Sequence, residues 1–111
     1  MLTEVVELPE FARRAKQVMT EAERSDLIDY LAAHPEAGIS LGNGLRKLRF
    51  ARQGSGKSGG FRTIHYYQTG IAPLYLMTVY AKNEKANLSP ADLSALHKLG
   101  DQLAAIHGDK S

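Results

Sequence analysis

A central stretch of the sequence concentrates the side chains that could act on a polyanion. No Asp or Glu lies between Glu36 and Glu84, yet this stretch holds seven basic residues and six of the eight aromatic residues. Cationic side chains neutralise phosphates, and aromatic rings stack on exposed bases. We therefore predict a surface that binds nucleic acid. The alternative is that the rings pack against a sheet and the cations are solvated at its edges. The basic residues are Arg46, Lys47, Arg49, Arg52, Lys57, Arg62 and Lys82.

The segment Ala51–Ser58, ARQGSGKS, matches a nucleotide-binding phosphate loop if Ala replaces the first Gly. Such a loop must open a helix, whereas this one leads into the strand-like run Phe61–Thr69. Nucleotide hydrolysis also needs an acidic Mg²⁺ ligand at a strand end, and the later predicted strands contain none. We interpret the segment as a Gly-rich hairpin loop in which Lys57 either solvates the tip or contacts a phosphate.

The histidines do not form a metal site with neighbouring carboxylates, and the sequence has no Cys. We expect neither a metal nor a cofactor. His65 lies three positions after Arg62 in the same predicted strand, so the two side chains should face opposite sides of the sheet. His65 is therefore a poor candidate for an acid or base that works with Arg62.

The pattern of apolar residues predicts a single α+β domain over residues 1–111 with the order β-α-α-β-β-β-α. Three strands should form an antiparallel meander, packed by an N-terminal α-hairpin and a C-terminal helix. A capping box at Thr20 and Glu23 marks the second helix. The predicted elements are a strand in Leu2–Leu8, a helix over Pro9–Met19, a helix from Thr20 that ends before Pro35, a flexible connector over Ala37–Gly44, strands over Leu45–Ala51, Phe61–Thr69 and Leu74–Lys82, and a helix from Pro90 capped by Ser89.

Charge and length limit where this protein of 111 residues acts. The segment Met1–Phe11 is acidic, which does not suit a secretory signal. The longest mostly apolar stretch, Ile71–Ala81, is too short for a membrane-spanning helix, which needs about 20 residues. We expect a cytoplasmic protein without a membrane partner.

Three runs together resemble the RelE/ParE superfamily of bacterial type II toxins, and they are most similar to its HigB-like branch. The resemblance implies a RelE-like fold and a ribosome-dependent endoribonuclease that cleaves translated mRNA. It also implies a cognate antitoxin, with a helix-turn-helix DNA-binding domain, that neutralises the toxin. The runs are Gly44–Arg49 (GLRKLR), Gly54–Arg62 (GSGKSGGFR) and Leu76–Lys85 (LMTVYAKNEK).

The resemblance and the chemistry of RNA cleavage together point to catalytic roles for Arg62, Lys57 and Lys82. Arg62 is expected to clamp the scissile phosphate, because a guanidinium binds two phosphoryl oxygens at once. Lys57 and Lys82 are expected to stabilise charge or transfer protons. Many RelE-type enzymes carry a tyrosine at the start of the last helix, and Lys85–Ser89 contains none. Tyr80, two residues before Lys82 and on the same face of the predicted strand, is a candidate for base stacking or proton transfer.

Five further residues are expected to hold RNA rather than to act on it. They would bind ribosomal RNA or mRNA in the decoding site of the ribosome. These residues are Arg46, Lys47, Arg49, Arg52 and Asn83.

Two other functions stay open from the sequence. A ParE-like relative would poison DNA gyrase and would have no need of clustered phosphate ligands. A non-catalytic RNA-binding or regulatory module would keep the charges without the cleavage.

Overall fold

The computed structural model describes residues 2–50, 60–68, 71–81 and 88–108. Within them it has three helices and five strands in the order β-α-α-β-β-β-β-α, so the predicted α+β class is confirmed. Arg52, Lys57, Lys82 and Asn83 lie outside the described residues, as does the Gly-rich loop predicted over Ala51–Ser58. The elements are β1 (Val5–Glu7), α1 (Pro9–Val18), α2 (Glu21–Ala33), β2 (Ile39–Gly42), β3 (Leu45–Phe50), β4 (Phe61–Gln68), β5 (Ile71–Ala81) and α3 (Pro90–Gly108).

The prediction of a flexible connector over Ala37–Gly44 is wrong, because β2 lies inside it. β2 pairs with β3 in antiparallel register, with Ile39 opposite Lys47. The two strands are joined at Asn43 and Gly44, whose φ angles are 53° and 88°. An Asn-Gly pair adopts these left-handed conformations readily, and a two-residue hairpin turn requires them. The glycines therefore make a tight turn, and the sheet gains a fourth antiparallel strand.

The five strands form one sheet in the order β1-β5-β4-β3-β2. The predicted antiparallel meander is confirmed as β3-β4-β5, with β2 added at one edge. β1 is added at the other edge and pairs with β5 in parallel. The sheet therefore extends on both sides of the meander expected from the sequence.

The two faces of the sheet are covered by different helices. Phe61 and Val79 lie on one face and pack with Phe11 of α1 and Leu27 of α2. Residues of β3, β4 and β5 on the other face pack with Leu103 and other apolar residues of α3. Because successive strand residues point to opposite faces, one strand supplies both cores. The packing predicted for the helical hairpin and the C-terminal helix is confirmed.

The predicted capping residues of the second and third helices are confirmed. The Thr20 hydroxyl accepts a hydrogen bond from the Glu23 amide at 3.1 Å, and the Glu23 carboxylate accepts one from the Thr20 amide at 2.8 Å. At the start of α3, the Ser89 hydroxyl accepts a hydrogen bond from the Asp92 amide at 3.1 Å. In the described part of the chain, no helix has the length and apolar character needed to cross a bilayer.

A buried histidine ties β4 to the segment that follows α2. His65 is fully buried, and its Nε2–H donates a hydrogen bond to the Pro35 carbonyl at 3.0 Å. Burial and, to a smaller extent, the nearby charge of Arg46 lower the pKa of His65 to about 4, against the opposing effect of that hydrogen bond. The ring is therefore neutral at physiological pH.

We predict that acid destabilises the fold through this ring. The unfolded chain binds a proton at His65 below about pH 6.5, whereas the folded chain resists it down to pH 4, so stability is lost as the pH falls between these values. Between pH 7.5 and pH 5 the wild type should lose about 2 kcal/mol of unfolding free energy more than His65→Gln. Urea denaturation at both pH values measures the difference. Equal losses in the two proteins would contradict the prediction.

Candidate nucleic-acid interface

The face of the sheet that packs on α3 carries a row of three residues across three strands. Arg62 of β4 is directly opposite Arg49 of β3 on one side and Tyr80 of β5 on the other. Side chains directly opposite each other in antiparallel strands point to the same face, with Cβ atoms about 4.5–5.5 Å apart. The register therefore brings Arg49, Arg62 and Tyr80 together, although they are distant in sequence.

A cleft beside this row gathers three cations. Lys47 lies two residues before Arg49, so it points to the same face. Arg49 is exposed, whereas Lys47 and Arg62 are half-buried. The cleft has a volume of about 370 Å³ and is lined by Gly38, Ile39, Lys47, Leu48, Arg49 and Arg62.

These three cations are not neutralised within the described residues. Across 2–50, 60–68, 71–81 and 88–108, no ion pair or side-chain hydrogen bond involves Lys47, Arg49 or Arg62. Arg24, by contrast, pairs with Glu7 at 2.7 Å. Like charges placed directly opposite each other in a sheet are destabilising. A site that holds the positive charges of Arg49 and Arg62 next to each other is suited to binding an external polyanion.

Arg46 lies on the opposite face of the sheet from this cleft, opposite His65. Its guanidinium donates hydrogen bonds to the carbonyl oxygens of Ala37, at 3.3 Å, and Gly38, at 3.0 Å. These bonds fasten β3 to the segment that leads into β2. The predicted RNA contact of Arg46 stays a prediction, and the structure gives this residue a role in holding the fold as well.

Tyr80 belongs to the row but is almost entirely enclosed. Only 2% of it is exposed, and its ring packs in the core beneath α3. It lines a second groove, of about 490 Å³, between α1 and α3, together with Thr78 and Leu96. The ring is largely enclosed in this conformation, and the predicted role of Tyr80 in base stacking or proton transfer stays a prediction.

The predicted opposition of Arg62 and His65 is confirmed by the pairing register. His65 aligns with Arg46 and Leu76, whereas Arg62 aligns with Arg49 and Tyr80. His65 is also buried against Pro35, on the side of the helical hairpin. It does not reach the cationic cleft.

The ends of three strands meet beside the row. Phe61, at the start of β4, is opposite Phe50, the last residue of β3, and Ala81, the last residue of β5. Phe50 and Ala81 therefore lie at the same end of the sheet, close to Arg49 and Arg62. The chain continues from them to residues 51 and 82. Lys82 follows Ala81 directly in the chain.

Gly38 and Ile39 line the cleft, and the prediction of a connector over Ala37–Gly44 does not bring them beside Lys47. The Asn43-Gly44 pair is the signal that could have found them, because it predicts a hairpin that folds β2 back onto β3.

We predict that Arg49→Glu stabilises the fold while it damages the interface. The new carboxylate replaces a repulsive neighbour of Arg62 with an attractive one, which should raise the unfolding free energy by about 0.5 kcal/mol. The same change should weaken binding to single-stranded RNA and reduce the slope of log K against log salt by about 1.5. Urea denaturation and fluorescence anisotropy at several salt concentrations measure the two effects.

Lys16→Glu is the matched control, since it changes the net charge equally at an exposed position on α1. Its salt slope should stay close to that of the wild type. If both variants weakened RNA binding equally, overall charge rather than the cleft would govern binding.

Comparison with known protein families identifies a related family. A family model described as the RelE toxin of the RelE / RelB toxin-antitoxin system matches residues 5–110. The match runs from the first residue of β1 through α3, so it covers the sheet, both groups of helices and the cationic cleft. With nearly the whole chain matched, and with an α+β fold of this order, the protein belongs to the RelE family of toxins from toxin–antitoxin modules.

Proposed function

We propose that this toxin is a ribosome-dependent endoribonuclease that cleaves translated mRNA in the bacterial cytoplasm. The observation that carries the proposal is the Arg49–Arg62 pair on an uncovered part of the sheet, with Lys47 beside it. RNA supplies the phosphates that such a group of cations lacks.

The proposed reaction uses the RNA's own 2′-hydroxyl as the nucleophile. The O2′–P bond forms as the P–O5′ bond breaks, which leaves a 2′,3′-cyclic phosphate and a 5′-hydroxyl end. One proton leaves the 2′-oxygen and one is delivered to the 5′-oxygen. The protein therefore has to align the strand, stabilise negative charge on the phosphoryl oxygens and transfer these protons.

Arg62 is the proposed clamp on the scissile phosphate. It occupies the middle of the row, and no carboxylate among the described residues pairs with it. Its planar guanidinium can donate two parallel hydrogen bonds to phosphoryl oxygens. Tyr80, enclosed on the neighbouring strand, would act as a positioning residue for Arg62.

Lys57 and Lys82 are proposed to stabilise charge and to transfer protons. Lys82 follows Ala81 in the chain, and Ala81 lies opposite Phe61, the residue before Arg62. Neighbouring cations lower the pKa of a lysine, which suits it to general acid or base catalysis near neutral pH. The proposed mechanism needs no metal and no cofactor.

The other cations are proposed to hold RNA. Lys47 and Arg49 line the cleft beside Arg62 and are well placed for phosphates of the mRNA or of ribosomal RNA. The same role is proposed for Arg46, Arg52 and Asn83.

RelE-family toxins pair with antitoxins, and we propose two finer assignments for this one. The loop and strand-end motifs favour the HigB-like branch of the superfamily. A HigB-like toxin would pair with an antitoxin that carries a helix-turn-helix DNA-binding domain. Such an antitoxin should bring acidic side chains to the cationic cleft, because it must compete with RNA there.

We predict that Lys57→Met and Lys82→Met each slow single-turnover cleavage by about 100-fold or more, since each removes a proton-transfer or charge-stabilising group. Cleavage of mRNA on programmed ribosomes, followed across pH, is the measurement. The corresponding Lys→Arg variants keep the charge but not a pKa that can be lowered to neutrality, so they separate the two roles. Full cleavage by both methionine variants at every pH would exclude the assignment.

We predict that Arg62→Ala lowers cleavage by about 100- to 1,000-fold, as removal of a transition-state charge ligand does. Induction of the wild type should arrest growth and produce new 5′ ends inside codons, detected by primer extension. Arg62→Ala should do neither, whereas Lys16→Ala should behave like the wild type. Denaturation curves of the purified variants check that the fold is intact.

Growth arrest with intact mRNA would contradict the nuclease and would favour a gyrase poison, which DNA-damage markers detect. Harmless expression of folded wild type would favour a non-catalytic module.

A further inference from the structure

An exposed aliphatic side chain lies at the edge of the cationic cleft. Ile39 is 64% exposed and begins β2, the edge strand of the sheet. It is directly opposite Lys47, so both side chains point to the face that carries Arg49 and Arg62. The cleft is thus lined by cations on β3 and β4 and by an apolar surface on β2.

The cover provided by α3 stops before Ile39. Leu41, on the same strand, packs in the core beneath α3, as does Leu45 at the start of β3. The α3 residue His97 lies close to Gly42 at this end of the strand pair. Ile39 lies at the other end, where the sheet face is open and cationic.

Exposure alone does not identify Ile39 as a binding residue, because Ile106 on α3 is also 64% exposed. The two isoleucines differ in the residues that surround them. Ile39 lines a cleft with three cations that no described carboxylate neutralises, whereas Ile106 does not line it. A β-branched side chain is also stiff at χ1, so it presents a fixed apolar surface at small entropic cost.

We infer that Ile39 is an aliphatic platform for one base of the bound RNA, next to the phosphates held by Lys47, Arg49 and Arg62. The inference rests on the proposed function, since it names a base subsite of the same cleft. A single-stranded nucleotide has both a charged phosphate and a flat apolar base face, and the cleft offers a matching surface to each.

The register sets the separation between platform and clamp. Ile39 and Arg49 are diagonal neighbours, about 7–8 Å apart, and Arg49 is about 5 Å from Arg62. The platform therefore lies about 10–13 Å from the proposed clamp along the sheet. We assign it to a nucleotide that flanks the scissile phosphate, and a purine there should bind more tightly because it covers more of the apolar surface.

The test uses ribosomes programmed with a defined mRNA in which the cleavage position has been mapped. Ile39→Thr keeps the β-branch but shrinks the apolar surface, and it should raise the half-saturating ribosome concentration about fivefold without changing the rate at saturation. Ile39→Phe enlarges the platform and should lower that concentration. Ile106→Thr is the matched control and should equal the wild type.

An mRNA with one abasic nucleotide identifies the base. Abasic substitution at the contacted position should abolish the difference between the wild type and Ile39→Thr, whereas substitution elsewhere should leave it.

If the wild type cleaves and Ile39→Thr cleaves identically on every mRNA, the platform is excluded while the nuclease stands. If the wild type does not cleave at all, both proposals fall. If Ile39→Thr cleaves normally but binds the antitoxin less tightly, Ile39 belongs to a protein interface and the base subsite is overturned.

Discussion

The pairing register of β3, β4 and β5 is the constraint on which the rest of the structure depends. Because side chains alternate between the faces of a sheet, the register places Phe61 and Val79 under the helical hairpin and leaves Arg62 on the other face. A slip of one residue would exchange the faces and bury Arg62 among α1 and α2. The apolar core therefore fixes the position of the cationic residues.

This core also offsets the repulsion between Arg49 and Arg62. Leu48 and Phe61, their neighbours in sequence, are buried on the reverse face, and each contributes about 1.5–3 kcal/mol by burial. The cost of a like-charge pair in a sheet is smaller, about 0.2–1 kcal/mol. The strands can therefore hold two guanidinium groups side by side before any RNA is present.

The site lies where the helical cover is incomplete. α3 encloses Tyr66, Met77 and Tyr80, but in the middle of the row Arg62 is half-buried, and at its end Arg49 is exposed. β2 widens this open surface with Ile39 and Lys47. On the opposite face, His65 and Arg46 bind carbonyl groups between Pro35 and Gly38 and so secure the segment that leads into β2. The other face of β3 and β4 packs under α3 at one end and carries the candidate site at the other.

The sequence by itself determined the α+β class, the helix starts at Thr20 and Ser89, the acid-free basic stretch and the family resemblance. These features are local, because capping, alternation and charge are properties of neighbouring residues. It did not reveal β2, because glycines also suit a flexible connector; the Asn43-Gly44 pair favours a tight turn, and the pairing with β3 shows that the turn forms. The sequence also did not show that Arg49 lies opposite Arg62, that Arg46 lies on the other face of the sheet, or that Tyr80 is enclosed. Those relations arise from strand register and helix packing, which join residues far apart in the chain, and only the tertiary structure decided them.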